Sequence, residues 1–357
     1  MYLLVVTRLT VDSCIPISAA ISLRTMGFKC GIVGLPNVGK STLFKHITKN
    51  EVNIANYPFC TIDPNIGVVA VPDERLDKLA AMSASKKKIP AVVEFYDIAG
   101  LVKGANKGEG LGNQFLSHIR ETQAIVQVLR CFKAGDIIHV ENSVDPIRDM
   151  EIINTELALK DLETVDKVWK KTEGEAKTGK KDAQKDLEIL KKVKEKLLSS
   201  QLVTEFKNEP IIRNLQLLTS KAQIYLLNGK PEDAPAELIE KIKTFGADYI
   251  IVDLSNPGAA LVELIKKSYA VLNLISFFTT GEDESRAWTI EQGWKAPQAA
   301  GAIHTDFEKK FIRAETIYWE DLLKAGSWQK ARQQGKIRSE GKDYVARDGD
   351  VLEIRHS

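Results

Sequence analysis

The chain has 357 residues, of which 44% are apolar and 27% charged, as in an ordinary soluble protein with room for two or three domains. Its formal net charge of +2 is too close to zero to indicate nucleic-acid binding, so such binding would depend on local patches. Four widely spaced cysteines without a C-x-x-C pair indicate free thiols in a reducing cytoplasm rather than a disulfide framework or a zinc site.

Residues 1–25 form a mildly apolar stretch that is interrupted by Arg8, Asp12 and Arg24. The stretch lacks the charged, then apolar, then small-residue order of a secretory signal. Met26 stands immediately before the first predicted strand. We therefore expect Met26 to be the native start and residues 1–25 to be a non-native or disordered extension.

The strongest motif follows an apolar run that ends at Val33. Residues 34–41 read G-L-P-N-V-G-K-S and fit G-x-x-x-x-G-K-[ST] at every fixed position. In such a P-loop, successive backbone N–H groups point at phosphate oxygens, Lys40 reaches the β and γ phosphates, and the Ser41 hydroxyl binds Mg²⁺. Lys40 is thus predicted to be catalytic. The nucleotide-binding residues predicted here are Asn37, Val38, Gly39, Lys40, Ser41 and Thr42.

Two later segments predict a switch that senses the γ-phosphate. Thr61 lies in a Pro-bounded loop over residues 56–65 and is the threonine expected to close on Mg²⁺ and this phosphate. An apolar run over residues 92–96 leads into Asp97, which is expected to hold the Mg²⁺ shell, and Gly100 is expected to donate its N–H to the γ-phosphate. The predicted metal ligands are therefore Ser41, Thr61 and Asp97, and Gly100 joins the predicted catalytic set.

Leu101 stands where many GTPases carry the glutamine that orients the attacking water. Because leucine cannot position water, hydrolysis must be slow, use another group or await a partner. His139 is a candidate for orienting water or stabilising charge. A partly buried structural histidine is the alternative for that residue.

Residues 146–202 predict an antiparallel helical hairpin. Apolar residues recur at helical spacing over residues 153–169 and again over 187–197, and Gly174 and Gly179 are predicted to break the run between them. Lysines in this region alternate with acidic residues, which is typical of a solvated helical face. A protruding arm whose basic tip contacts RNA is the alternative.

A later predicted strand ends at Asn228, where GTPases carry N-K-x-D and the aspartate accepts two hydrogen bonds from guanine. Pro231 occupies the aspartate position here, so guanine loses its main recognition carboxylate. Asn228, Gly229 and, beyond the next predicted strand, Ser255 are expected to contact the nucleotide.

From residue 274 onward, two hairpin-like pairs of strands separated by a helical segment predict a compact β-grasp domain. One of these pairs is expected to include residues 342–345 and 351–354. The basic residues that would give this domain a basic face are Arg313, Lys330, Arg332, Lys336, Arg338, Lys342 and Arg347.

The sequence thus predicts an α/β fold with a mostly parallel sheet, an inserted antiparallel helical arm and a C-terminal β-grasp domain. The predicted nucleotide-binding domain comprises residues 26–145 and 203–273. The arm comprises residues 146–202, and the C-terminal domain comprises residues 274–357.

With these motifs assembled, the chain resembles the YchF or Obg-like ATPase family of translation-factor P-loop proteins from about Met26 to the C-terminus. The resemblance depends on the P-loop, on residues 56–65, on D-I-A-G-L-V-K-G-A at 97–105 and on G-E-G-L-G-N at 108–113. In the last domain it depends on R-A-W-T-I at 286–290, A-P-Q-A-A-G at 296–301, H-T-D-F-E-K at 304–309 and E-G-K-D-Y at 340–344.

The resemblance implies a G domain, a C-terminal TGS domain and association with ribosomes. It implies ATP preference in a GTPase-like fold, because the family replaces N-K-x-D by N-x-x-E. It also implies that His139 is a candidate catalytic group and that Asn37 lies where some relatives hold a potassium ion. We expect a cytoplasmic monomer that contacts RNA and no membrane.

Two features depart from the family pattern. Glu232 arrives one residue later than the family's acid, and the stretch between Ser255 and Leu274 is shorter than family members usually carry. We expect a Mg²⁺-dependent switch that slowly hydrolyses ATP to ADP and phosphate while bound to, or regulating, the ribosome. The alternatives are a ribosome-associated GTPase, if Glu232 or Asp233 accepts hydrogen bonds from guanine, and an RNA- or ribosome-binding module with a barely catalytic nucleotide site.

Overall fold

The computed structural model describes residues 28–49, 52, 57, 63, 65–98, 113–132 and 143–357. Within these residues, twelve strands form two six-stranded sheets. The strands are β1 Phe28–Val33, β2 Ile66–Ala70, β3 Lys87–Ile89, β4 Val92–Asp97, β5 Ala124–Arg130, β6 Ala222–Asn228, β7 Asp248–Val252, β8 Leu274–Thr280, β9 Glu284–Glu291, β10 Phe311–Tyr318, β11 Arg338–Glu340 and β12 Asp350–His356. The helices are α1 Lys40–Thr48, α2 Glu74–Met82, α3 Asn113–Arg120, α4 Pro146–Lys177, α5 Lys181–Leu198, α6 Pro210–Leu215, α7 Ala236–Thr244, α8 Ala260–Val271, α9 Ala296–Ile303, α10 Thr305–Lys309, α11 Trp319–Ala325 and α12 Trp328–Gln333.

The first sheet has the strand order β2-β4-β1-β5-β6-β7. The pair β2–β4 is antiparallel, and the other four pairs are parallel. Every residue of β5 is buried, and so is every residue of β1 after Phe28, as expected for central parallel strands that are covered on both faces. The predicted α/β fold with a mostly parallel sheet is confirmed.

The parallel pairing brings the carboxyl ends of five strands to one edge of this sheet. Ile32 near the end of β1 lies beside Asp97 at the end of β4. Arg130 at the end of β5 lies beside Asn228 of β6, which in turn lies beside Val252 of β7. In open α/β sheets, ligands bind at this edge.

Helices α4 and α5 form the predicted antiparallel hairpin. Asp145 caps α4 by accepting a hydrogen bond from the backbone N–H of Arg148. The prediction that Gly174 breaks the helix was wrong, because α4 continues to Lys177. An isolated glycine costs a helix only about 1 kcal/mol relative to alanine, and the flanking turns are good helix formers. The chain turns instead at Gly179, where φ is +84°.

A buried carboxylate anchors the base of this hairpin. Asp161 of α4 is fully buried and accepts hydrogen bonds from the backbone N–H groups of Leu218 and Thr219 at 2.9 and 2.7 Å. The Thr219 hydroxyl donates a third bond at 2.6 Å. Burial raises the pKa of Asp161, and these three bonds oppose that shift. The arm is thereby fixed to the segment that leads into β6.

The second sheet has the order β11-β10-β12-β8-β9-β3. The hairpin β8–β9 and the pair β10–β12 are antiparallel, and β12 joins β8 in parallel at the centre, which confirms the β-grasp prediction. The strand predicted at residues 342–345 is absent from the described sheet. Val345 makes only an isolated bridge with Lys295, and β11 pairs with β10 instead.

A strand from the nucleotide-binding half completes this second sheet, a contact that the sequence analysis did not foresee. Strand β3 pairs in parallel with β9, with Ile89 opposite Arg286. The Ser85 hydroxyl donates to the Gly281 carbonyl at 2.7 Å. The chain of the nucleotide-binding domain is therefore joined to the C-terminal domain by backbone pairing and not only by side-chain contacts.

Cys30 and Cys131 are free, buried thiols, as predicted, and the other two cysteines lie outside the described residues. Burial raises the pKa of each of these two thiols to about 12, so neither forms a reactive thiolate near neutral pH. Of the helices in the described ranges, none combines the length and apolarity required to cross a bilayer.

We expect Asp161→Ala to lower the free energy of unfolding by about 3 kcal/mol or more, because three buried donors lose their acceptor at roughly 1–3 kcal/mol each. Chemical denaturation followed by circular dichroism measures the loss. Asp166→Ala on the same helix is the matched control, because it removes only an exposed ion pair with Lys194 and should cost less than about 1 kcal/mol. Equal losses in the two variants would contradict the anchoring role.

Candidate nucleotide site

The loop between β1 and α1 packs so closely on the sheet that it needs glycine at both ends. A Cβ on Gly34 would lie 2.6 Å from the carbonyl oxygen of Val128, and a Cβ on Gly39 would lie 2.5 Å from Nδ2 of Asn228. Gly39 also has a φ of +110°, which glycine adopts without strain. The loop therefore curls directly over the ends of β5 and β6, and α1 begins at Lys40.

Lys40 is a nearly buried cation, with only 8% of its surface exposed. Its Nζ donates a hydrogen bond to the Leu35 carbonyl oxygen at 2.6 Å. Burial lowers the pKa of Lys40 to about 8, and the negative charge of Asp97 at the end of β4 opposes that shift. A desolvated ammonium held by a loop carbonyl can exchange that bond for a phosphate oxygen.

Asn228 fastens the same loop from the side of β6. Its Nδ2 donates to the Val38 carbonyl oxygen at 2.9 Å, and its Oδ1 accepts from the backbone N–H of Leu254 at 3.2 Å. Both ends of this buried amide are thus used within the protein. Asn228 connects the P-loop to the segment after β7, and its contact with a nucleotide stays a prediction.

A cavity of about 850 Å³ opens at this edge of the sheet, a size that suits a nucleotide-sized ligand. Its P-loop side is lined by Asn37, Gly39, Lys40, Ser41 and Thr42. Its other side is lined by Phe132, Asn228, Gly229, Lys230, Glu232, Asp233, Asp253, Leu254 and Ser255. The structure thus brings together the predicted nucleotide-binding residues except Val38, which is fully buried beneath the loop.

Three carboxylates line the side of the cavity that follows β6 and β7. Asp233 accepts a hydrogen bond from the backbone N–H of Lys230 at 3.0 Å. Asp253 accepts from the hydroxyl and the backbone N–H of Ser255 at 2.6 and 2.9 Å, and these bonds lower its pKa. Within the described ranges, no residue pairs with the Glu232 carboxylate, which leaves it available to a ligand.

Phe132 is a lining residue that the sequence analysis missed. It follows β5, and the guanidinium of the fully buried Arg130 lies 4.6 Å from the centre of its ring. The Nε of Arg130 also donates to the Phe132 carbonyl oxygen at 3.3 Å. The available signal was an aromatic residue two positions after the end of a central parallel strand, because that position falls at the ligand edge of the sheet.

Ser41 and Asp97 are the described members of the predicted metal set. Ser41 is exposed in the first turn of α1, and Asp97 ends β4. Hydroxyl and carboxylate oxygens are hard donors that suit Mg²⁺, which is commonly bound together with substrate phosphates. Among the side chains that the structure describes, no group of three or more His, Cys, Asp or Glu is placed to hold a metal ion. These donors therefore fit a Mg²⁺ ion that is completed by phosphate and water oxygens.

Three predicted site residues, Thr61, Gly100 and His139, lie outside the described residues, as does Leu101. Their roles in binding the metal, sensing the γ-phosphate and catalysing hydrolysis stay predictions.

Two family models match parts of the chain. Residues 274–357 match YchF-GTPase_C, which is described as a protein of unknown function. Residues 29–167 match MMR_HSR1, which is described as a 50S ribosome-binding GTPase. Together the two matches include the P-loop and every strand of the second sheet, with β3 in the match over residues 29–167.

Relatives match over nearly their full length. The chain is 47% identical over 363 residues to the "Ribosome-binding ATPase YchF" of Bacillus subtilis, an alignment that covers 92% of this chain and 99% of that protein. The Escherichia coli protein of the same name is also 47% identical, with 92% and 98% covered. The solved structure of the Schizosaccharomyces pombe YchF GTPase has a TM-score of 0.78 and 41% identity, and the match covers 92% of this chain and 98% of that one. The chain therefore belongs to the YchF family.

Proposed function

We propose that this protein is a cytoplasmic, Mg²⁺-dependent P-loop nucleotidase that slowly hydrolyses ATP to ADP and phosphate and associates with the ribosome. The observation that carries the proposal is Lys40, a buried cation in a nucleotide-sized cavity with Asp97 close enough to influence its pKa. The names of the bacterial relatives, ribosome-binding ATPases, support the choice of ATP and of the ribosome.

The phosphate end of the cavity has the groups that phosphoryl transfer requires. The backbone N–H groups of the P-loop and the first turn of α1 would receive the phosphates, and Lys40 would exchange the Leu35 carbonyl for a phosphate oxygen. Ser41 and Asp97 would hold Mg²⁺, which neutralises charge that develops on the phosphates. Leu101 replaces the water-orienting glutamine, so the reaction is expected to be slow.

A potassium ion is a second proposed cofactor. Asn37 lines the cavity and has a φ of +62°, a conformation that asparagine adopts more readily than most residues. Asn37 is the residue that would hold the ion near the phosphates.

We propose adenine as the preferred base. Guanine presents two donors that need a free carboxylate, and the position of that carboxylate in N-K-x-D is Pro231, which begins a short 3-10 turn. The carboxylates of Asp233 and Asp253 already accept hydrogen bonds within the protein. The ring of Phe132 offers an apolar contact that does not require a carboxylate.

Glu232 favours a second candidate function, that of a GTPase. Its carboxylate lines the cavity and makes no hydrogen bond or ion pair with another described residue. If Glu232 accepted both guanine donors, it would replace the aspartate of N-K-x-D from one position later in the chain.

Association with the ribosome would use basic surfaces outside the cavity, and we propose that the protein binds as a monomer. The hairpin α4–α5 carries exposed lysines near its tip, including Lys181 and Lys180, whose Nζ lies 3.4 Å from the carboxylate of Glu175. In the C-terminal domain, Arg332 and Arg355 are partly neutralised by Glu315, which lies 3.5 Å from Arg355. Acidic neighbours thus partly neutralise both basic surfaces, and we propose both as contacts for RNA phosphates.

We expect Lys40→Ala to slow single-turnover phosphate release from ATP by at least about 100-fold, because a charge that stabilises the transition state is lost. Lys45→Ala, which changes an exposed lysine of the same helix, is the control and should retain the wild-type rate. If Lys40→Ala released phosphate at the wild-type rate, the P-loop mechanism would be excluded. Release by the wild-type protein at the uncatalysed rate would instead favour a ribosome-binding module with an inactive site.

We expect the wild-type protein to bind a non-hydrolysable ATP analogue more tightly than the GTP analogue in calorimetric titrations with Mg²⁺. Glu232→Gln should change the affinity for the ATP analogue by less than about threefold. The glutamine side chain keeps one carbonyl oxygen, which suffices to accept a hydrogen bond from the amino group of adenine. The GTPase would be established instead if the wild-type protein preferred the GTP analogue and Glu232→Gln lowered the affinity for that analogue by about tenfold or more.

We expect nucleotide binding to take up a proton above pH 8. Lys40 has a pKa of about 8 in the free protein, and bound phosphates raise it, so the affinity should fall by up to about tenfold per pH unit above 8 and level off below it. Calorimetry at pH 9 in two buffers of different ionisation enthalpy counts the protons.

Lys221→Arg is the control for this proton uptake. Burial also lowers the pKa of Lys221 to about 8, but its Nζ donates to the carbonyl oxygens of Arg120 and Thr122 at the opposite edge of the sheet. The uptake should persist in this variant. Its disappearance there, or its absence from the wild type, would contradict the assignment to Lys40.

A further inference from the structure

Tyr57 lies where the nucleotide-binding domain meets the C-terminal domain. Only 8% of the Tyr57 surface is exposed. Tyr57 belongs to the loop of residues 56–65 that is predicted to sense the γ-phosphate. The Tyr57 hydroxyl donates to the carbonyl oxygen of Pro90 at 2.8 Å. The guanidinium of Arg286, on β9 of the C-terminal sheet, lies 5.8 Å from the centre of the Tyr57 ring. This one side chain therefore contacts the connection between β3 and β4 and the C-terminal domain.

The cation that faces Tyr57 is held firmly on its own sheet. The guanidinium of Arg286 lies 4.1 Å from the ring centre of Trp288. Trp288 donates from Nε1 to the hydroxyl of Thr279 at 2.9 Å and stacks on Phe277. Burial lowers the pKa of Arg286, and the negative charge of Glu284 opposes that shift. Two aromatic faces thus replace water around a half-buried cation, the setting in which cation–π contacts are strongest.

The same part of β9 is connected to the metal-binding end of the nucleotide site. Ile89 of β3 pairs opposite Arg286, and Pro90, which accepts the Tyr57 hydrogen bond, is the next residue. Strand β4 begins two residues later and ends at Asp97. A displacement of Arg286 would therefore act on Tyr57, which contacts the chain just before the strand that carries Asp97.

We propose that Arg286 is a positioning residue for the nucleotide reaction, because it holds Tyr57 against the start of β4 and so links the C-terminal domain to the nucleotide that is bound. The proposal depends on the proposed function. Tyr57 belongs to the loop that is predicted to sense the γ-phosphate, which ATP carries and ADP lacks, so the link should act on the ATP-bound protein and leave ADP binding unchanged. Coupling of binding free energies is reciprocal, so a partner that binds the C-terminal domain and moves Arg286 would change the affinity for ATP.

The test measures dissociation constants for Mg²⁺ with a non-hydrolysable ATP analogue and with ADP in the full-length protein. Arg286→Ala should lower the preference for the ATP analogue over ADP by at least about fivefold, with the ADP affinity unchanged. Arg286→Lys keeps the cation and should restore part of the preference. A purely structural defect would weaken both nucleotides alike.

Lys78→Ala is the matched control. The Nζ of Lys78 on α2 lies 5.7 Å from the ring centre of Trp319 on α11, so it also makes a cation–π contact between the two halves of the molecule. This contact does not involve Tyr57, and its removal should leave the preference at the wild-type value. Tyr57→Phe removes only the hydroxyl that bonds to Pro90 and should lower the preference in the same direction as Arg286→Ala.

The outcomes separate this inference from the proposed function. If the wild-type protein binds neither nucleotide, both fail. If it binds both and the preference stays within about twofold in Arg286→Ala, only the positioning role is overturned. If thermal unfolding shows that Arg286→Ala does not fold, Tyr57→Phe decides, and an unchanged preference in that variant overturns the role.

Discussion

The nucleotide site depends on how closely the loop after β1 packs on the ends of its neighbouring strands. Gly34 rests on the Val128 carbonyl and Gly39 rests on the Asn228 amide, at separations that leave no room for a Cβ. Val128 lies near the carboxyl end of β5 and Asn228 ends β6, so both contacts hold the loop against the buried parallel sheet. The first turn of α1 is fixed as a result, and the burial of Lys40 and its lowered pKa follow from that placement.

Comparison of Lys40 with Lys221 shows why this placement matters more than the pKa alone. Burial lowers the pKa of Lys40 and of Lys221 to about 8 in each case. Lys221 donates to two carbonyl oxygens of the segment that leads into β5, at the edge of the sheet opposite the nucleotide site. Lys40 lines a cavity that can admit an anion. A perturbed pKa thus identifies a functional cation only where there is space for its ligand.

Much of this structure could be predicted from local patterns. The P-loop, the strand that ends in Asp97 and the amphipathic hairpin each depend on residues that are close in sequence. Gly174 was misread because the packing of a long hairpin outweighs the low helix propensity of one residue. Phe132 and Glu232 line the cavity through the way in which separate loops meet, and the pairing of β3 with β9 joins distant segments. No local pattern specifies such contacts.

That pairing also affects the order in which the chain completes its fold during synthesis. Ser85, two residues before the start of β3, bonds to Ser285, which lies 200 positions later. Synthesis proceeds from the N-terminus, so β3 stays without its partner while strands β4 to β8 and the arm are being made. An unpaired strand invites association with other chains, and exposed lysines oppose it. The exposed residues of β3 are Lys87 and Lys88. Their charges thus oppose association of the unpaired strand with other chains until β9 is made and pairs with it.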